Sequence, residues 1–240
     1  MGKNKIRRFQ ENLSFANLVQ PPFEAIFQQE HPLKGRWREA FFGNGHPMVL
    51  ELGCGRGEYT VELARKFPGT NFLGIDIKGA RMWRGAKTAT EEGLRNAGFL
   101  RTRIEFINSF FAPGEVAGLW ITFPDPQLRK NRVKKRLTSP VFLACYAKFL
   151  APDAPIHLKT DSRHLHEYTK AVAVHNRLPV EQACTDIYST GDTGELLSIQ
   201  TAYEKAFLAQ GLPITYLQFR LAGQSRFEAP DFAPDNNFCA

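Results

Sequence analysis

Apolar and polar positions along this chain alternate between two periods. Short apolar runs, the mark of buried strands, recur at Met48–Leu52, Asn71–Ile75, Arg103–Ile107, Ala117–Phe123 and Pro155–Thr160. Between them lie stretches with helical spacing: Glu58–Phe67, Lys78–Asn96, Ser139–Leu150 and Asp161–Asn176. In the first of these, Val61, Leu63, Ala64 and Phe67 are apolar among Glu62, Arg65 and Lys66. AGLWITF, over Ala117–Phe123, is apolar almost throughout, as a central strand covered on both faces must be. Two later extended segments flank a helix that begins near Thr201. Phe23–Phe42 reads as a helix on the domain edge, closed by Gly43-Asn44-Gly45. Residues 1–20 read as a mobile basic arm and residues 223–240 as a loosely held tail. The alternation predicts a Rossmann-like α/β domain over residues 21–222, with a mostly parallel seven-stranded sheet and helices on both faces.

Composition narrows the class. With 240 residues, 43% hydrophobic and 23% charged, there is material for one cored domain. No run of about 18 apolar residues predicts a membrane span, and the N-terminus lacks the apolar region of a secretory signal. Cys54, Cys145, Cys184 and Cys239 are scattered without a C-x-x-C pair, which predicts reduced thiols in a cytoplasmic protein. His164 and His166 have no third ligand beside them, so no metal is expected. A net charge of +7 favours a polyanionic partner, though it also serves solubility.

The chemistry gathers at strand ends. Gly53-Cys54-Gly55-Arg56-Gly57 follows the first of these strands as G-x-G-x-G, and Glu58 stands where a dinucleotide turn places its third glycine. A carboxylate there would repel a pyrophosphate. Glu51, Glu58 and Asp76 instead suit a ligand with positive charge and a ribose but no phosphate, a description that S-adenosylmethionine meets. Later strands deliver Asn108, Phe123-Pro124-Asp125-Pro126 and Lys159-Thr160-Asp161, although Asp161 could equally cap a helix. The flanking prolines fix the backbone on both sides of Asp125. Arg129-Lys130-Asn131-Arg132-Val133-Lys134-Lys135-Arg136 follows at once, and phosphates are the natural counterions for such a run.

The segments ELGCGRGEY, FLGIDIKGARMWRGAK, FPDPQLRKNRVKKRLT, HLKTDSRHLHEY and TAYEKAF, in this order, resemble the bacterial tRNA (guanine-N7-)-methyltransferase family over nearly the whole chain. The resemblance implies a class I methyltransferase fold and methyl transfer from S-adenosylmethionine to N7 of a guanosine in the tRNA variable loop; monomer and homodimer are both left open by the sequence. It implies that Glu51, Asp76, Asn108 and Asp125 contact the cofactor beside Gly53, Gly55 and Gly57, with Asp125 also catalytic. It implies that Arg129, Asp161, Thr201, Ala202, Tyr203 and Glu204 contact the substrate. Asn131, Arg132, Val133, Lys134, Lys135 and Arg136 would then form the RNA-interacting segment. The chain departs from the family pattern at Gln127, where a Trp is usual, and at Arg129, Asn131-Arg132 and Phe110. A methyltransferase acting on another RNA or a small molecule, or a non-catalytic RNA-binding module, are the alternative readings.

Overall fold

The computed structural model describes residues 3–189, 191 and 193–232. Its eight strands are β1 (Leu18–Val19), β2 (Met48–Leu52), β3 (Asn71–Asp76), β4 (Ala97–Arg101), β5 (Gly118–Thr122), β6 (Pro155–Thr160), β7 (Val180–Cys184) and β8 (Thr215–Arg220). They form one sheet in the order β1-β4-β3-β2-β5-β6-β8-β7. The first six are parallel, and β8 runs antiparallel to both β6 and β7. The helices are α1 (Lys3–Glu11), α2 (Glu58–Lys66), α3 (Gly79–Glu91), α4 (Pro140–Tyr146), α5 (Arg163–His175), α6 (Gly194–Leu197) and α7 (Ala202–Leu208). No helix among the described residues is long and apolar enough to cross a membrane.

Two apolar layers cover the sheet. On one face Leu50, Leu52 and Ile121 pack with Phe142, Tyr146, Leu165 and Tyr168 of α4 and α5. On the other, Phe72, Phe99 and Trp120 pack with Tyr59, Leu63, Met82 and Ala86 of α2 and α3. Every residue of β5 is buried, as its unbroken apolar run requires.

The alternation of strands and helices is as the periodicity predicts, with four differences. The sheet has eight strands, not seven, because Leu18–Val19 pairs along β4. Residues expected to be a mobile arm therefore fold: Asn12 Nδ2 donates to the Gly79 carbonyl at 2.9 Å and Asn17 Nδ2 to that of Ala86 at 3.0 Å. The strand expected at Arg103–Ile107 lies earlier, at Ala97–Arg101, and residues 104–109 form a 3-10 turn. Gly93 ends α3 in the left-handed region, and Asn96 Nδ2 then donates to the carbonyls of Ala64 and Thr70, each at 2.9 Å. That bond sets the register in which Ala97 pairs with Phe72.

Phe23–Phe42 is not one helix. Gln28 and Gly35 take positive φ, leaving a 3-10 turn at Phe23–Ala25 and a π-helical turn at Trp37–Phe41. Trp37, fully buried, anchors the segment through Nε1 to the Phe110 carbonyl at 2.8 Å. The tail after Gly223 is held as far as it is described. Asn176 exchanges hydrogen bonds with the Glu228 backbone, and Phe227 and Phe232 pack on the core. Residues 233–240, with Cys239, lie outside the described residues; Cys54, Cys145 and Cys184 are unpaired.

Candidate active site

At the carboxyl ends of β2, β3, β5 and β6 a cavity of about 660 Å³ brings together Glu51, Gly53, Gly55, Asp76, Asp125, Asp161, Thr201 and Tyr203. Its floor is the turn after β2. Gly53 and Cys54 donate their N–H groups to the Ile75 carbonyl at 2.7 and 3.1 Å, and Gly57 donates to Cys54 at 2.7 Å. The Gly55 N–H goes to Asp76 Oδ2 at 3.0 Å. These four donors are spent on the protein, one of them on a carboxylate, so they do not form the anion cradle of a dinucleotide fold. Gly53 takes φ 74° with nothing within 4 Å of where a Cβ would stand, which keeps the space above the turn open. Gly57 does different work. A Cβ there would stand 2.4 Å from the Phe99 ring and 3.2 Å from Gly85 Cα, so this glycine lets α2 approach α3 rather than facing the cavity.

Glu51 is buried beneath the turn. Its Oε2 accepts from the Thr60 N–H at 2.9 Å and from the Thr60 hydroxyl, and its Oε1 from the Thr122 hydroxyl at 2.6 Å. Burial pushes its carboxyl up from the usual range, against the pull of these donors, and the Asp76 charge adds to the rise. A cation in the cavity would relieve both. Glu58 lines the cavity and also ties two helices together. Its Oε2 accepts the Ala202 N–H at 2.7 Å, tying the start of α7 to the start of α2.

Asp125 is exposed at the cavity rim in a strained loop. Phe123 (φ 45°) and Gln127 (φ 48°), both left-handed, bracket Pro124-Asp125-Pro126, at a cost on the order of 1–3 kcal/mol each. Asp125 Oδ1 accepts the Gln127 N–H at 3.0 Å, which holds the second bend. Arg136 holds it from behind, donating through Nε to the Pro126 carbonyl at 3.0 Å and through Nη2 to that of Gln127 at 3.2 Å. Its guanidinium also lies 4.2 Å over the Tyr168 ring. Arg136 is 3% exposed, so the expectation that it contacts RNA is corrected: it braces the loop. Arg129, Lys130, Asn131, Arg132, Lys134 and Lys135 are exposed on the 3-10 turn beside the cavity, while Val133 packs inward on the core.

Asn108 does not end a strand as expected; it sits in the 3-10 turn with its amide on Cys145 Sγ at 2.9 Å and is not among the residues that line this cavity. The residues beyond the true end of β4 are Thr102 and Ile104, which the sequence reading missed. They line an adjoining cavity of about 790 Å³ with Leu137, Val141 and Phe142. Both cavities share Gly53, Asp76, Ile77 and Ile104, so an acidic chamber opens into an apolar slot. Finding Thr102 from sequence required only the correct strand register.

Glu204 is fully buried, 2.8 Å from Lys159 Nζ, and accepts from the Tyr188 hydroxyl at 2.6 Å. Lys159 completes its set of acceptors with the carbonyls of Leu197 (2.9 Å) and Ile199 (2.8 Å). Burial holds its ammonium below the usual range, against the opposing pull of Glu204. Glu204 therefore pins α7 to β6 and does not reach the cavity. Thr201, Ala202 and Tyr203 sit above that pin. The Thr201 hydroxyl caps α7 by accepting the Glu204 N–H at 3.2 Å, and the Tyr203 ring is exposed at the cavity mouth. Ser162, not Asp161, caps α5. Asp161 is left facing the cavity, and burial raises its carboxyl above the usual range.

Comparison with known proteins places the chain in a family. The family described as "Putative methyltransferase" matches residues 45–217. A tRNA (guanine-N(7)-)-methyltransferase of Christiangramia forsetii is 53% identical over 220 residues, covering 91% of this chain and 98% of that one. One of Bacteroides thetaiotaomicron is 49% identical over 231 residues, covering 96% of this chain and 91% of that one. A solved structure titled as an antibiotic-related methyltransferase matches the fold with TM-score 0.55 at 18% identity, covering 74% of this chain and 89% of that one. With identity of 49–53% over nine-tenths or more of this chain, the chain belongs to the tRNA (guanine-N(7)-)-methyltransferase family.

Proposed function

We propose that this chain transfers a methyl group from S-adenosylmethionine to N7 of a guanosine in the variable loop of tRNA, in the cytoplasm. The observation that carries the reading is a juxtaposition. A cavity lined by Glu51, Asp76, Asp125 and Asp161 opens beside the exposed turn bearing Arg129, Lys130, Arg132, Lys134 and Lys135. The acids suit a small cation and the turn suits phosphates.

The residues fit the cofactor. Glu51 and Asp125 lie where they can attract its ammonium and sulfonium, and Asp76 keeps lone pairs for its ribose hydroxyls. The apolar slot of Ile77, Ile104 and Leu137 suits an adenine ring. Bound there, S-adenosylmethionine supplies an electrophilic methyl group.

Guanine N7 carries an unshared pair and no proton, so the chain needs no strong base. It must hold nucleophile and methyl group in line, a positioning effect worth up to about 7–11 kcal/mol in favourable cases. Asp125, fixed by two bends and by Arg136, orients the reactants. Asp161, half-buried with a raised carboxyl, is placed to read the guanine edge. The target base must leave its stack to enter the cavity, at a cost of a few kcal/mol.

N7-selective cleavage of tRNA treated with the protein and methyl donor tests the reading. A new cleavage site at one variable-loop guanosine is expected. Methyl incorporation elsewhere, or into small molecules only, would overturn it.

A further inference from the structure

A second cavity, about 700 Å³, opens on the α2/α3 side of the sheet and meets the active-site cavity at Arg56, Glu58, Arg81 and Tyr203, which line both. Its wall carries Arg8, Arg56, Arg65, Arg81, Arg84 and Lys205 against only two acids, and both acids are engaged. Glu62 pairs with Arg65, while Glu58 accepts the Ala202 N–H and lies 3.9 Å from Arg56. Among the described residues, Arg8, Arg81, Arg84 and Lys205 have no ion-pair partner. Two of these four are held in place: the guanidinium groups of Arg8 and Arg84 lie 4.7 and 5.0 Å from the centre of the Trp83 ring. Cations fixed along one concave wall, with no counter-charge of their own, suit a ligand that carries negative charge at regular intervals.

We propose that this groove carries the phosphates of the RNA strand adjoining the target nucleotide, with the Tyr203 ring at the junction stacking on a neighbouring base. The inference rests on the tRNA reading above and extends it. The basic turn of residues 129–136 lies on the α4/α5 side and the groove on the α2/α3 side, so the substrate is gripped on both sides of the cavity.

The test measures the Kd of unmodified tRNA over a salt series for the full chain and three variants: Arg84→Gln/Lys205→Gln, Lys134→Gln/Lys135→Gln, and Tyr203→Ala. Arg84 and Lys205 are exposed, and melting curves confirm folding. The groove pair is expected to lower the slope of log K against log salt by about 1.4–1.8, at roughly 0.7–0.9 per phosphate contact. Tyr203→Ala should weaken binding with the slope unchanged. A wild-type slope in the groove pair, together with a reduced slope in the turn pair, overturns the groove and leaves the function standing. Wild-type affinity in Tyr203→Ala overturns the stacking. A parent protein that neither binds nor methylates tRNA overturns the function and the groove together.

Discussion

Arg136 Nε lies 3.0 Å from the carbonyl oxygen of Pro126, so the last cation of the basic run faces into the protein. Arg136→Lys keeps the charge but cannot span the Pro126 and Gln127 carbonyls. Losing one or both of these bonds removes about 1–3 kcal/mol from the brace. kcat is expected to fall by about tenfold or more, with tRNA affinity and its salt slope as in the wild type. A reduced slope with an intact kcat would return Arg136 to the RNA interface.

Asp125 combines a charge with a turn. Asp125→Asn keeps an acceptor for the Gln127 N–H and Asp125→Ala removes it. Both variants should lose turnover while still binding tRNA, because the carboxylate is what the reactants need. Single-turnover methyl transfer within a few-fold of wild type in the Asn variant would remove the charge from the mechanism.

The Lys159–Glu204 pair gives a prediction about stability. Removing one partner of a buried pair costs about 3–5 kcal/mol, so Lys159→Met and Glu204→Gln should both lower Tm markedly. Below its own transition, Glu204→Gln should keep a near-normal KM for tRNA and its selectivity for guanosine. An unchanged Tm with a large rise in KM would show Glu204 reading the base.

Glu51 links pH to folding. Its folded carboxyl binds a proton more tightly than the unfolded one, so unfolding releases that proton and stability falls as pH rises from the usual carboxyl range through the raised value. In Glu51→Gln this dependence is absent, because an amide does not titrate, and the fold is kept because the amide can accept from Thr60 and donate to Thr122. Denaturation at several pH values should show the variant gaining on the wild type as pH increases across that window. S-adenosylhomocysteine should bind it more weakly by about 1.5–3 kcal/mol, the worth of a hydrogen bond to a charged group. A constant stability difference, or unchanged affinity, would refute the assignment.

The β2–α2–β3 unit was legible because its signals are local: two apolar runs, a glycine turn and an acid at the second strand's end. β4 was not. Its Gly98 has no side chain because the Phe41 ring occupies that space, 2.4 Å from where a Cβ would stand, and Phe41 is distant in sequence. Ala97 and Gly98, which open the strand, carry little side chain to mark it, so the strand was expected later, at Arg103–Ile107, with Asn108 at its end. Glu204 and Arg136 misled for a related reason. Sequence displays a charge but not its partner, so a buried ion pair and a buried brace both look like surface groups. Asp125 and Asp161 could be expected at one rim because the ends of parallel strands converge there, whereas Tyr203, which lines the same cavity, was signalled by the family resemblance alone.

The pairing of Leu18–Val19 along β4 closes what would otherwise be an open row of amide and carbonyl groups. Residues 3–20 thus act as a selvedge for the sheet, shielding it from strands of other molecules. A version trimmed to begin at Pro21 would retain the cavity yet offer a sticky border, and concentrated solutions of it should self-associate where the full chain stays dispersed.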